Sequence, residues 1–137
     1  MNSLIADTRP DYVVFPDSGA YNRYYYKIHG PGVIEGKKIR NQKTGEITDL
    51  QLMTQNYELL VNLNNQTRCL IIDDICDGGM TFIKVAKALK AINETVKIDL
   101  YVTHGIFSKG KQVLRDAGIQ NFYTTNSLLK NIEGFKV

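Results

Sequence analysis

Residues 69–81 read CLIIDDICDGGMT, and this stretch decides the fold. Its first four residues form a short apolar run that is typical of a buried β-strand. From Thr81 onward, apolar residues recur at the i, i+3, i+4, i+7 spacing of one helix face, at Phe82, Val85, Ala86 and Leu89. The stretch therefore predicts a strand, an acidic and glycine-rich loop, and an amphipathic helix.

The same alternation of apolar runs and helical patterns extends in both directions from this unit. It predicts further strands at residues 12–15, 33–39, 98–102 and 122–123, and further helices at residues 20–28 and 109–117. Polar residues 41–45 are typical of an exposed hairpin tip, whereas residues 49–63 fit neither pattern. We predict one α/β domain over residues 1–137: an open, mostly parallel, doubly wound sheet with helices on both faces and a flexible basic hairpin.

The composition is that of an ordinary globular protein. Of the 137 residues, 43% are hydrophobic and 23% are charged, and the net charge is +3. This charge is too small to indicate nucleic-acid binding, and no arginine-rich stripe or aromatic platform accompanies it. No apolar run is long enough to span a bilayer, so we expect no membrane partner. The two cysteines fit neither a disulfide framework nor a metal site with the histidines, which favours the cytoplasm.

The distinctive polar clusters all follow predicted strands. They are Pro-Asp-Ser-Gly at residues 16–19, Lys-Lys-Ile-Arg at residues 37–40, the loop at residues 73–81, and Thr-His-Gly at residues 103–105. In doubly wound sheets, ligands bind beyond the carboxyl ends of the strands. We therefore expect these clusters to line one ligand site.

The acidic, glycine-rich loop has the residue types that a ribose phosphate requires. Gly78 and Gly79 let backbone N–H groups approach a phosphate near a helix N-terminus, and Thr81 adds a hydroxyl donor. Asp73 and Asp74 suit ribose hydroxyls or a hydrated Mg²⁺. The alternative is an acidic turn that only caps the helix. Three acids followed by paired glycines at a strand-to-helix junction favour the ligand site.

This loop resembles the phosphoribosyl-pyrophosphate motif shared by phosphoribosyltransferases and ribose-phosphate pyrophosphokinases. Four further blocks resemble the pyrophosphokinases: FPDSGA at residues 15–20 with Arg23, Lys-Ile-Arg at residues 38–40, THGIFS at residues 103–108, and TTNS at residues 124–127. The resemblance covers residues 11–128 and lies in the C-terminal half of that family. It implies a fold like the type I phosphoribosyltransferases, and transfer of diphosphate from ATP to the C1 hydroxyl of ribose 5-phosphate.

The resemblance implies roles in handling the diphosphate. Asp17, Ser18 and Gly19 would form the diphosphate loop, and Asp17 would hold Mg²⁺. Lys38 would be catalytic by stabilising the charge that develops as diphosphate leaves ATP. Arg40 would be its catalytic partner and would also bind the substrate. The alternative for Lys38 and Arg40 taken alone is a solvated basic hairpin.

The resemblance also implies an acceptor site. Asp73, Asp74 and Asp77 would face the ribose, whereas the 5-phosphate would lie against Gly78, Gly79, Met80 and Thr81. Two positions depart from the usual Thr-Gly-Gly-Thr pattern, because Gly78 lacks a hydroxyl and Met80 places a long side chain beside the phosphate. A bulkier 5-phosphoryl ribose, such as ADP-ribose, is therefore a second substrate candidate.

The N-terminal half of the family, which supplies ATP-recognising residues, has no counterpart in this sequence. We therefore expect the domain to be inactive without that half, and either to associate with it or to form a homo-oligomer. In the complete enzyme, the resemblance implies ATP as donor and Mg²⁺ as cofactor. Two alternatives stay open: a nucleobase phosphoribosyltransferase, and a non-catalytic regulatory or assembly subunit of a pyrophosphokinase.

Overall fold

The computed structural model describes residues 9–54, 63–76, 80–105, 112–124 and 135–136. The strands are β1 (Tyr12–Phe15), β2 (Gly32–Arg40), β3 (Ile47–Thr54), β4 (Arg68–Cys76), β5 (Lys97–Gly105), β6 (Ile119–Thr124) and β7 (Phe135–Lys136). The helices are α1 (Ser18–Tyr24), which continues into a 3₁₀ turn (Tyr25–Lys27), α2 (Met80–Ile92) and α3 (Gln112–Asp116). None of the described helices is both long and apolar enough to cross a membrane.

The strands form one sheet in the order β3-β2-β1-β4-β5-β6-β7. Every neighbouring pair is parallel except β2 and β3, which form an antiparallel hairpin. The chain moves outward from β1 in one direction and from β4 in the other, so the strand order reverses between β1 and β4. Ligands bind at such a switch point in doubly wound sheets. The predicted open, mostly parallel sheet is confirmed.

Both faces of the sheet are covered, as predicted. Along β4, Ile71 packs in the core beneath α2 and α3, whereas Leu70 and Ile72 pack in the core beneath α1. This alternation follows from the two-residue period of a strand. Each side chain of this size contributes roughly 1.5–3 kcal/mol when it is fully buried. The apolar face predicted for α2 is buried, and its members are Phe82, Val85, Ala86 and Leu89.

The boundary of β4 corrects one sequence expectation. The predicted strand ended before Asp73, but the observed strand runs to Cys76. Pairing with β5 causes the extension, because Asp73 lies opposite Val102 and Cys76 lies opposite Gly105. The first two acids of the motif are therefore held on a strand rather than on a loop.

Other boundaries differ by a few residues. The helix predicted at residues 20–28 begins at Ser18 and ends at Tyr24, before the 3₁₀ turn. Strands β5 and β6 are longer than predicted, and β7 was not predicted. Strand β3 overlaps the start of the stretch that fitted neither pattern.

The β2–β3 hairpin closes where the polar tip was predicted. Asn41 organises the turn: its backbone N–H donates to Glu46 O at 2.7 Å, and its side chain accepts from the N–H groups of Lys43 and Thr44. Gly45 has a φ of 73°, a left-handed conformation that favours glycine. The exposed tip is thus a turn closed by hydrogen bonds, and it follows the strand that carries Lys38 and Arg40.

Candidate functional site

The loop between β1 and α1 places Asp17 at the start of the helix. Asp17 is the N-cap, because its Oδ1 atom accepts a hydrogen bond of 2.9 Å from the backbone N–H of Ala20. Ser18 donates from its hydroxyl to Glu35 Oε1 at 2.9 Å, which ties the loop to β2. The cap uses one carboxylate oxygen of Asp17, and the other oxygen faces the hairpin.

Lys38 lies where β2 passes this loop. Its Nζ atom is 3.8 Å from Asp17 Oδ2, and 27% of its side chain is exposed. Gly36 permits the approach of strand and loop, because a Cβ atom at this position would collide with the backbone carbonyl of Pro16. The structure thus brings together Lys38 and Asp17, which the sequence assigned to separate blocks.

Arg23 of α1 reaches both acids of β4. Its Nη2 atom donates to Asp73 Oδ1 at 2.9 Å and to Asp74 Oδ1 at 3.1 Å. The backbone N–H of Asp74 also donates to Asp73 Oδ1, at 2.8 Å. The side chains of Arg23 and Asp74 are 46% and 39% exposed, whereas only 13% of the Asp73 side chain is exposed. One guanidinium therefore joins the helix of the diphosphate loop to the acids expected to face the ribose.

The charges of this cluster shift two pKa values. Burial raises the pKa of Asp73 to about 6, and hydrogen bonding to the Asp74 side chain and the charges of Asp17 and Asp74 act in the same direction. Burial by itself lowers the pKa of Arg23, but its hydrogen bond to Asp73 and the charges of Asp74 and Asp73 outweigh that effect. The net result is that the pKa of Arg23 lies above its ordinary value.

A second contact fixes α1 against the carboxyl end of the sheet. The hydroxyl of Tyr24 shares a hydrogen bond of 2.7 Å with Thr103 Oγ1 on β5. Tyr24 is buried in the core beneath α1, so its position is set by packing. Thr103 opens the Thr-His-Gly block, which the structure thereby connects to the helix that follows the diphosphate loop.

The remaining site predictions fall in several places. Arg40 lies beyond Lys38 at the end of β2, where its exposed guanidinium donates to Gly45 O at 3.1 Å. The structure thus places Arg40 at the hairpin tip rather than beside the acids of β4. Met80 begins α2, and Thr81 lies half-buried in its first turn. Three further predicted residues lie outside the described residues: Asp77, Gly78 and Gly79.

In a comparison with known proteins, this chain is similar to several ribose-phosphate pyrophosphokinases. It is 38% identical over 76 residues to the ribose-phosphate pyrophosphokinase of Mycoplasmopsis pulmonis, covering 55% of this chain and 23% of the relative. It is 34% identical over 99 residues to the same enzyme of Cereibacter sphaeroides, covering 70% and 26%. It is 32% identical over 114 residues to ribose-phosphate pyrophosphokinase 4 of Arabidopsis thaliana, covering 77% and 28%.

The chain is a relative of the ribose-phosphate pyrophosphokinases. It spans about a quarter of the length of the relatives it matches, which is consistent with their C-terminal half. No protein-family model matches the chain.

Solved structures share the fold. The phosphoribosylpyrophosphate synthetase of Mycobacterium smegmatis superposes with a TM-score of 0.64 at 21% identity, covering 95% of this chain and 41% of that one. An adenine phosphoribosyltransferase superposes with a TM-score of 0.54 at 14% identity, covering 90% and 71%. The predicted type I phosphoribosyltransferase-like fold is thereby confirmed.

The structure adds two residues, Arg23 and Glu35, to which the sequence patterns gave no individual role in the site. Arg23 follows Gly19 by one helical turn, and a Cβ atom on Gly19 would lie only 3.2 Å from Arg23 Nη1. The signal for Arg23 was its place in the block at residues 15–23 that resembles the pyrophosphokinases. Glu35 had no such signal, because its contact with Ser18 depends on the parallel register that sets Phe15 opposite Glu35.

Few of the side chains near Asp17 could coordinate a Mg²⁺ ion directly. Within the described ranges, no three His, Cys, Asp or Glu side chains lie together as a metal site. Asp17 offers one carboxylate oxygen outside its capping bond, and Lys38 already approaches that oxygen. This fits a Mg²⁺ held mainly by water and substrate oxygens, which is common at sites for phosphorylated substrates. Asp17 as a metal ligand stays a prediction.

Proposed function

We propose that this domain holds the acceptor sugar in a ribose-phosphate pyrophosphokinase reaction, in which diphosphate passes from ATP to the C1 hydroxyl of a 5-phosphoryl ribose. One observation carries the proposal. Arg23 contacts both Asp73 and Asp74, and Lys38 contacts Asp17, so charged side chains of α1, β2, β4 and the β1–α1 loop lie together at the sheet's switch point. The similarity to pyrophosphokinases supports the same reaction class.

The charges around this cleft suit diphosphate transfer. Such reactions depend mainly on positioning and on the stabilisation of developing charge by cations and metal. The Nζ atom of Lys38 lies 3.8 Å from Asp17 Oδ2 in the loop proposed for the diphosphate. We propose that Lys38 stabilises the negative charge that develops in the transition state. We propose that Arg40 binds ligand oxygens that reach the hairpin tip. Mg²⁺, when bound, would neutralise charge on the phosphates beside Asp17 and Glu35.

The acids of β4 define the proposed sugar contacts. Asp73 and Asp74 carry carboxylate oxygens suited to two ribose hydroxyls, and Asp77 would extend this set. The 5-phosphate would lie at the start of α2, where backbone N–H groups and the helix dipole favour anions. Ribose 5-phosphate is the first candidate. ADP-ribose is the second, because Gly78 and Met80 depart from the family pattern at the phosphate.

Calorimetry with a ligand series tests the proposal. Ribose 5-phosphate, ADP-ribose, phosphoribosyl pyrophosphate and ATP are titrated separately, with and without Mg²⁺. We expect a 5-phosphoryl ribose to bind, and Asp73→Ala to weaken it about 10- to 150-fold through loss of a charged hydrogen-bonding group. Asp116→Ala, on the exposed surface of α3, is the control. Equal affinity of the Asp73→Ala variant and the parent would exclude this sugar site.

The same titrations separate the two alternatives. A nucleobase phosphoribosyltransferase would bind a free purine or pyrimidine together with phosphoribosyl pyrophosphate. A non-catalytic subunit would bind a pyrophosphokinase partner, and substitution of Lys38 would leave the activity of that complex unchanged. We favour the proposed reaction over both alternatives because Lys38 lies close to Asp17 of the diphosphate loop.

A further inference from the structure

Arg23 occupies oxygen atoms that the proposed sugar would use. Its Nη2 atom is 2.9 Å from Asp73 Oδ1 and 3.1 Å from Asp74 Oδ1. A guanidinium donates hydrogen bonds and cannot accept them, so each engaged oxygen loses an acceptor direction. An incoming hydroxyl or cation that uses the same oxygens must therefore compete with Arg23 for them.

The acids are held more firmly than the arginine. Asp73 lies opposite Val102 in the pairing of β4 with β5, and the backbone N–H of Asp74 donates to Asp73 Oδ1 at 2.8 Å. The side chain of Arg23 is 46% exposed and reaches the acids from the short helix α1. A change of partner is therefore expected to move the arginine and to leave the carboxylates in place.

The other edge of the guanidinium lies over the diphosphate loop. A Cβ atom on Gly19 would be 3.2 Å from Arg23 Nη1 and 3.3 Å from Asp17 Oδ1. The guanidinium thus spans the space between the diphosphate loop and the acids of β4. A phosphate group in that loop would offer Arg23 the oxygen acceptors that it now takes from Asp73 and Asp74.

We propose that Arg23 is a positioning residue that exchanges partners. It pairs with Asp73 and Asp74, and it turns to the diphosphate when ribose hydroxyls or a hydrated Mg²⁺ engage these acids. This inference rests on the proposed function, and it adds that occupancy of one loop is coupled to occupancy of the other through one side chain.

Two binding measurements on the same variant test the exchange. The probes are Mg²⁺ alone and phosphoribosyl pyrophosphate in saturating Mg²⁺, because the latter carries both the sugar and the diphosphate. We expect Arg23→Gln to bind Mg²⁺ about tenfold more tightly, since the competing cation is gone, and to bind phosphoribosyl pyrophosphate about tenfold more weakly. Arg23→Lys keeps the charge without the planar fork, so it should lie between Arg23→Gln and the parent in both titrations.

Lys27→Gln is the matched control. It removes the same charge one helical turn later, from a side chain that lies over the rings of Tyr24 and Tyr26. Effects of opposite sign in Arg23→Gln, absent from Lys27→Gln, support the exchange. Changes of the same sign, or equal changes in Lys27→Gln, overturn it. Failure of the parent to bind phosphoribosyl pyrophosphate would instead overturn the proposed function.

Discussion

Asp73 shows how the environment of a single residue determines its chemistry. It lies on a strand, almost buried, with the acidic side chain of Asp74 next to it and Arg23 across from it. Burial and the neighbouring acids raise its pKa to about 6, despite the adjacent guanidinium. A carboxyl group that titrates near neutral pH is more often found at functional sites than on ordinary surfaces.

This raised pKa predicts a pH dependence of stability. The folded-state pKa of Asp73 is about 6 and the ordinary value is 3.8, so the folded chain binds the proton more tightly. Its contribution to stability is therefore fully present below about pH 4 and is lost as the pH rises through 6. The unfolding free energy of the parent, relative to Asp73→Asn, should fall by on the order of 2 kcal/mol between these limits.

Urea unfolding at a series of pH values measures this difference. Asp116→Asn is the control, because this exposed carboxylate accepts only a surface hydrogen bond from Gln112 among the described contacts. Its unfolding free energy should follow that of the parent. A difference between the parent and Asp73→Asn that stays constant with pH would show that Asp73 titrates normally.

At the scale of elements, the sequence predicted what local patterns encode. The apolar run of β4, the apolar face of α2 and the hairpin tip were all predicted correctly, because burial and turn chemistry are visible locally. The full length of β4 was not, since its last residues are strand only through pairing with β5. The same limit applies to the site: Asp17, Lys38, Asp73 and Asp74 were predicted from local motifs, but the contacts of Arg23 and Glu35 depend on elements distant in sequence.

The β2–β3 hairpin predicts different roles for its two cations. Lys38 lies beside Asp17, whereas Arg40 is exposed at the tip. In a complete enzyme that carries this domain, Lys38→Ala should mainly lower kcat, because a contact made in the transition state contributes little to ground-state binding. Arg40→Ala should weaken sugar-phosphate binding as well, because its guanidinium can engage ligand oxygens in the ground state.

Steady-state kinetics and ribose 5-phosphate titrations on both variants test this division. Lys37→Ala is the control, because Lys37 is an exposed cation of the same strand that immediately precedes Lys38. Equal losses of ground-state affinity in Lys38→Ala and Arg40→Ala would contradict the assignment.

At the scale of the whole molecule, the sheet explains why distant residues meet. Asp17 lies just after β1, Asp73 and Asp74 lie in the second half of β4, and Lys38 lies on β2. These three strands are neighbours in one sheet. Because β1 and β4 pair in parallel, the residues that follow β1 and the acids of β4 lie toward the same edge of the sheet. The acceptor and diphosphate parts of the proposed site therefore follow from topology, while the donor nucleotide needs a separate pocket.

The last prediction concerns the chain by itself: it should bind a 5-phosphoryl ribose but release no appreciable AMP from ATP. The described residues supply acids for the sugar and cations for the diphosphate, but the sequence has no second glycine-rich phosphate loop for the donor nucleotide. Positioning of reactants can supply on the order of 7–11 kcal/mol of barrier reduction. Losing even about 4 kcal/mol would slow turnover roughly a thousandfold. Incubation with ATP, Mg²⁺ and ribose 5-phosphate, followed by an AMP assay, measures this. AMP release proportional to chain concentration and abolished by Lys38→Ala would mean that these 137 residues also bind the donor nucleotide.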